Sequence, residues 1–242
     1  MPNSKTQKNT VTLGIQLPTT NEHDELKNAK IVFEYALNSV NKFFELYQVE
    51  RLGSAGASTH QEQDLLRAMV VFSCSGLDAV IKQLIKDALP RVLQKDEGSK
   101  KQFQKYVERR LRKVSSEEKE RSFVIDTDLL SQVLVSQDPR LLLTNNLTDH
   151  LTDDSLQNKD QLLKVAAYFA ITANQVLTDA EATKSAFDAR NNIVHEMDVN
   201  FDSPGTGKKK RHQRSKDTVI KFCKNILLVG SKFISSVSDK LD

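Results

Sequence analysis

A chain of 242 residues has room for one ordinary domain, or for one domain carrying an insertion. With 38% hydrophobic and 28% charged residues it can bury a core under a solvated surface, and its 8 Gly and 5 Pro argue for long helices over a loop-rich β-sandwich. The formal net charge of +3 excludes a histone-like polycation but leaves room for a local anion-binding patch.

In chain order, residues 1–20 are expected to form a flexible N-terminal segment, with a β-prone stretch from Val11 to Ile15 that can pair or pack. Asn21 or Asp24 can cap a first helix. In it Leu26, Ala29, Val32, Phe33, Ala36, Leu37, Val40, Phe43, Phe44 and Tyr47 recur at three- and four-residue steps, and it ends before Leu52. After the turn Gly53–Ser58 a second helix is predicted from about Thr59 to Leu89, stopped by Pro90. Its middle, Ala68 to Leu77, is apolar or small on all sides, as in the central helix of a bundle. There Ser73, Ser75 and Gly76 would let another helix approach closely.

Residues 91–160 read as a helical and loop insertion in the middle of a single 21–242 domain. Lys95 to Lys119 is highly charged, with Glu108–Lys113 on a solvated helix. Asp126 can cap a short helix through Val135, and Asp138-Pro139 can start another; Asn145 to Asn158 reads as loop. Helical periodicity returns at Lys159. A further helix is predicted from about Asp179 to Glu196, then a polar loop to Arg214, then an amphipathic helix from about Ser215 to Val237. The fold class is therefore all-α.

Cys74 and Cys223 belong to no CxxC pair, which argues against a zinc site or disulfide framework and for two core thiols. Nor is there a Gly-rich phosphate loop, an HExxH or a GxSxG, so neither metal nor cofactor is expected. Met1 to Thr10 is polar, without the apolar core of a secretory signal, and no apolar run is expected to approach the ~20 residues of a membrane span. The expectation is a cytoplasmic chain without a membrane.

Chemistry concentrates in Arg190-Asn191-Asn192-Ile193-Val194-His195. Asn191 and His195 are four apart and stack on one helical face. Arg190 lies roughly 140° from His195 at about 100° per residue, so its long side chain must curl to join them or meet a second copy across an interface. The plainer reading is that Arg190 and Asn191 pair with carboxylates while His195 sits at a helix C-terminus, where a cation is favoured.

This segment resembles the signature of the HEPN superfamily: Arg, a polar residue, a short apolar-containing spacer, then His, late in an all-helical chain. The sub-pattern Arg-Asn-x-Ile-x-His looks like the prokaryotic RiboL-PSP and MAE-type branch. The resemblance implies a HEPN-type helical bundle and metal-independent RNA cleavage by a homodimer, both motifs lining one cleft, with Arg190, His195 and Asn191 catalytic. It further implies 2′,3′-cyclic phosphate and 5′-hydroxyl products and a defence or toxin role. Asp78 would then be the supporting acidic residue that holds Arg190; a plain ion pair is its other reading. Lys208, Lys209, Lys210 and Arg211 form the densest positive run, either an RNA contact or a solvated loop. Arg109–Lys113 carries the same two readings. The alternatives are a catalytically inactive HEPN module that binds RNA, a nucleotide or a partner protein, and a component controlled by a regulatory or antitoxin protein.

Overall fold

The computed structural model describes residues 12–53, 56–114, 123–202 and 209–242. It is an all-α bundle carrying one short β-ribbon. After a 3-10 turn at Asp24–Leu26 the helices are α1 (Lys27–Arg51), α2 (His60–Asp87), α3 (Leu89–Lys95) and α4 (Glu97–Leu111). The strands β1 (Arg112–Val114) and β2 (Phe123–Ile125) pair antiparallel, Arg112 opposite Ile125. Then follow α5 (Thr127–Val135), α6 (Pro139–Thr152), α7 (Lys159–Tyr168), α8 (Ala173–Val176), α9 (Ala180–Glu196) and α10 (Lys216–Leu241).

Side-chain caps set most of the helix starts. Thr59 opens α2 with a reciprocal capping box: its hydroxyl accepts from the Glu62 N–H, and the Glu62 carboxylate accepts from the Thr59 N–H. Asp126, Asp138, Asn158, Asp179 and Ser215 cap α5, α6, α7, α9 and α10, each side chain accepting from a first-turn N–H without the reciprocal bond. The first helix differs from expectation. Neither Asn21 nor Asp24 caps it; the Asn21 amide instead donates to the Asp242 carboxylate, tying the start of the fold to its last residue. Pro90 also differs. It sits in the first turn of α3, where its missing N–H costs nothing, so it starts a helix and α2 ends at Asp87.

α2 is the central helix, packed against α1, α3, α6, α9 and α10. Its closest approach is at Gly76, where an added Cβ would lie 2.3 Å from the Cβ of Ala36 on α1. Ser73 is buried beside it, its hydroxyl bonded to the Val70 carbonyl, whereas Ser75 is exposed. By length and composition α2 is apolar enough to cross a membrane, with half of that stretch buried; here it is the axis of the bundle. Cys74 and Cys223 are free and buried, and burial pushes both thiols up to about 12.

Residues 1–11 of the N-terminal segment lie outside the described residues, but the rest of it is not loose. Leu13 is buried in the core, and its N–H donates to the Asn41 side chain on α1. The middle block likewise joins the core: Tyr106, Leu147, Leu151 and Leu156 belong to the same buried cluster as α1, α2 and α10. Two expectations there are corrected. The helix through Glu108 stops at Leu111 because the chain crosses into β1, and much of the 145–158 loop is helical, since α6 continues to Thr152 and buries Leu147 and Leu151.

Candidate active site

Helix α9 presents the Arg–His motif. Asp179 caps its first turn, and the buried Asn225 amide of α10 donates to both the Thr183 hydroxyl and the Asp179 carbonyl. Ala182, Ala186, Phe187 and Ala189 bury one face against the bundle, which leaves Asp188, Asn191 and His195 outside. α9 runs antiparallel to α2: the Cys74 thiol lies against the Ala186 carbonyl, while Arg67, two turns earlier on α2, meets the chain just beyond α9 at Asp198.

Arg190 is half-buried, and its guanidinium curls toward its neighbour, donating from Nη1 to the Asn191 Oδ1 at 3.0 Å. Asn191 stands one turn before His195 on the same face. The Arg190 side chain thus reaches its neighbour Asn191. The Arg190 Nε is buried and has no hydrogen-bond partner among the described residues. An unmade bond at a buried donor costs about 1–3 kcal/mol, so this one is a donor held without an acceptor. His195 is exposed on the last turn and has no partner among the described residues either.

Directly after the motif the backbone turns sharply. Met197 and Asp198 both adopt left-handed conformations, with φ of 52° and 60°, which non-glycine residues hold only where the surroundings enforce them. The enforcing group is Asp198 itself, 0% exposed. Its carboxylate accepts from Arg67 Nε at 2.7 Å, from Arg214 Nε at 3.0 Å and from Arg214 Nη2 at 2.5 Å. Arg67, 3% exposed, also donates to the His212 carbonyl and to Asp64. Gln63 exchanges two hydrogen bonds with the Arg214 backbone. Together these groups staple both ends of the 198–214 segment to α2. An isolated bridge between Val199 and Arg211 closes the strap.

Composition and periodicity do not reveal this clamp, because its partners are far apart in sequence. The available signal is Arg67 alone, a cation between Leu66 and Ala68 in an apolar helix, which must find a carboxylate once buried.

The structure places the other expected residues as follows. Asp78 does not meet Arg190. Its carboxylate accepts from the Leu156 N–H at 2.7 Å and pairs with Lys82 at 3.4 Å, so it tethers the segment before α7. The reason is the antiparallel packing: Asp78 lies one turn beyond Cys74 on α2, toward the start of α9 and away from Arg190. Arg211 is engaged on the strap, donating to Asp64 at 2.7 Å and to the Met197 carbonyl at 2.9 Å. Lys209 and Lys210 are exposed, and Lys208 lies outside the described residues. Arg109 braces α4 against α7 through the Tyr168 hydroxyl at 3.2 Å. Among the described residues no three His, Cys, Asp or Glu side chains gather as metal ligands would.

Neither a curated protein nor a solved structure matches the chain. A family model described as RiboL-PSP-HEPN matches residues 32–239, from the first turns of α1 almost to the end of α10. HEPN domains include many ribonucleases, and they often bind RNA and dimerise. The match takes in the whole bundle and the Arg190–His195 motif on α9, and the chain belongs to the RiboL-PSP-HEPN family.

Proposed function

We propose that this chain is an endoribonuclease that cleaves RNA without a metal, as a cytoplasmic homodimer of the prokaryotic defence or toxin type. The observation that supports the reading best is the arrangement at Arg190: a guanidinium bent onto Asn191, a buried Nε with no acceptor, and an exposed imidazole one turn further along. The half-buried guanidinium, the exposed Asn191 and the exposed imidazole together offer a phosphodiester positive charge and hydrogen-bond donors.

The chemistry follows from the groups. An imidazole can both accept and donate a proton, so His195 can take the proton from a ribose 2′-hydroxyl or hand one to the leaving 5′-oxygen. Attack of the 2′-oxygen on phosphorus forms the new P–O bond as the P–O5′ bond breaks. The products are a 2′,3′-cyclic phosphate and a 5′-hydroxyl. Arg190 stays charged and offers a planar fork to the non-bridging oxygens, where charge builds in the transition state. Asn191 orients the guanidinium. Lys209 and Lys210 on the strap, with Lys208, draw the phosphate backbone toward the site.

A second copy would complete the site. No group among the described residues fixes the ring of His195, and beside α9 the helix α2 leaves Ala68, Val71, Phe72 and Ser75 on one exposed or half-buried face. Phe72 is 45% exposed and Val194 on α9 is 42% exposed. A twofold axis through this face would bury them and bring two motifs together.

The test is digestion of end-labelled RNA in EDTA by wild type and by His195→Ala, followed by end-group analysis. Wild type is expected to cut and leave cyclic phosphate ends, and His195→Ala, folded and dimeric, to be inactive. Wild-type cleavage that needs added metal, or cleavage by His195→Ala at the wild-type rate, overturns the assignment. RNA binding without cleavage by wild type would make the chain a binding module of the same family.

A further inference from the structure

On the flank of α9 away from Arg190, a groove of about 460 Å³ opens between α9, the 212–215 segment and the first turns of α10. Its rim carries Asp188, Asn192, His212 and Gln213, and the half-buried Phe222 lines it with apolar surface. The groove adjoins the motif directly: Asn192 lies one residue after Asn191 and one turn before His195.

Part of its hydrogen-bonding capacity is unspent. The side chains of Asn192, His212 and Gln213 have no hydrogen-bond partner among the described residues. Asp188 uses one oxygen for Lys184 at 2.7 Å and keeps the other open. The one guanidinium at the wall, that of Arg214, already faces the buried Asp198 carboxylate. A phosphate would therefore meet an open carboxylate and no uncommitted cation. A flat, neutral ligand with polar edges and an apolar face fits better, and in RNA that is an unstacked base.

We propose that this groove seats one guanine of the RNA strand beside the Arg190–His195 motif, with Asp188 and Asn192 reading its edge and Phe222 lying against its ring. The inference rests on the ribonuclease reading and deepens it. Guanine offers two adjacent N–H donors and one carbonyl acceptor on a single edge. The open Asp188 oxygen accepts one donor, the oxygen shared with Lys184 keeps a lone pair for the other, and the Asn192 amide complements the carbonyl. Uracil and adenine present no such pair of donors to a carboxylate, and cytosine presents only its exocyclic amine.

The experiment is calorimetric titration of the full chain with each of the four ribonucleoside 5′-monophosphates, for wild type, Asp188→Asn and Asn192→Ala. The phosphate is common to all four, so differences report the base. GMP is expected to bind at least about tenfold more tightly than the other three, and Asp188→Asn to abolish that preference. Asn192→Ala is expected to weaken GMP selectively. Asp188 and Asn192 lie at the surface, and circular dichroism checks that both variants fold. Equal binding of the four nucleotides, or a GMP preference untouched by both substitutions, overturns the proposal. Titration needs no cleavage, which separates the two readings. A chain that binds GMP through Asp188 but never cuts RNA overturns the nuclease assignment alone; one that cuts RNA with no guanine preference overturns the groove alone.

Discussion

Arg190 combines two properties that a lysine cannot reproduce. Its Nη1 donates to Asn191 while its buried Nε has no acceptor among the described residues, so one planar group is anchored at one corner and unfilled at another. Lysine would keep the positive charge but lose the fork and the fixed direction of its donors. Arg190→Lys is therefore expected to lower kcat by about 10²–10³-fold, the range for removing one donor from a developing oxyanion, with much smaller change in KM. Single-turnover RNA cleavage checks this. A wild-type kcat in the variant would show that charge alone suffices and that the Asn191 contact is incidental. Asp198 works differently: it touches no candidate catalytic atom, but with Arg67 and Arg214 it holds the left-handed turn that ends α9 one residue after Glu196. It positions the last turn, on which His195 stands.

Among the elements, the α1–α2 contact decides the geometry of the bundle, and Gly76 sets its spacing. A Cβ there would meet Ala36 at 2.3 Å, far inside any real carbon contact. Gly76→Val must push the helices apart or force strained rotamers, and overpacking of this kind costs about 1–3 kcal/mol despite valine's advantage over glycine in helix propensity. Denaturant unfolding should show a lower midpoint with an unchanged slope; an equal or higher midpoint would mean that the contact is loose.

The small-residue stretch that predicts this contact is visible in the sequence, as are the helix starts near Thr59, Asp138, Asp179 and Ser215 and the cap Asp126, because both act over three or four residues. The Arg190–His195 motif is visible for the same reason, lying within one and a half turns. What escapes the sequence acts at long range. β1 exists only because β2 returns to pair with it. α6 buries few apolar residues, so its period is faint among polar neighbours. The Arg67–Asp198–Arg214 clamp spans 131 residues at its longest link, and Asp78 finds its partner 78 residues away at Leu156. Chain-order periodicity carries none of that pairing.

At the scale of the whole molecule, association and chemistry should fail together. In one chain α2 is the bundle axis, yet it leaves Phe72 half in water, touching Phe43 at a ring separation of 5.0 Å, with Val194 exposed on α9. Exposed apolar groups scattered singly mean little, but one of these stands on the motif itself, beside a histidine with no partner among the described residues. A carboxylate placed at Phe72 leaves the monomer's core intact, because the added charge stays in solvent, but it would be desolvated against its own copy in a symmetric interface. Phe72→Glu is therefore expected to sediment as a monomer at micromolar concentration where wild type is a dimer, to keep the wild-type circular dichroism spectrum, and to lose RNA cleavage. Mixing it with His195→Ala discriminates further. Two defective chains could regain activity only by forming a mixed dimer, so recovery would place the two lesions on separable functions, and its absence would tie both to one shared cleft. A monomeric wild type that cuts RNA at full rate would remove the second copy from the mechanism and leave Arg190, Asn191 and His195 to act within a single chain.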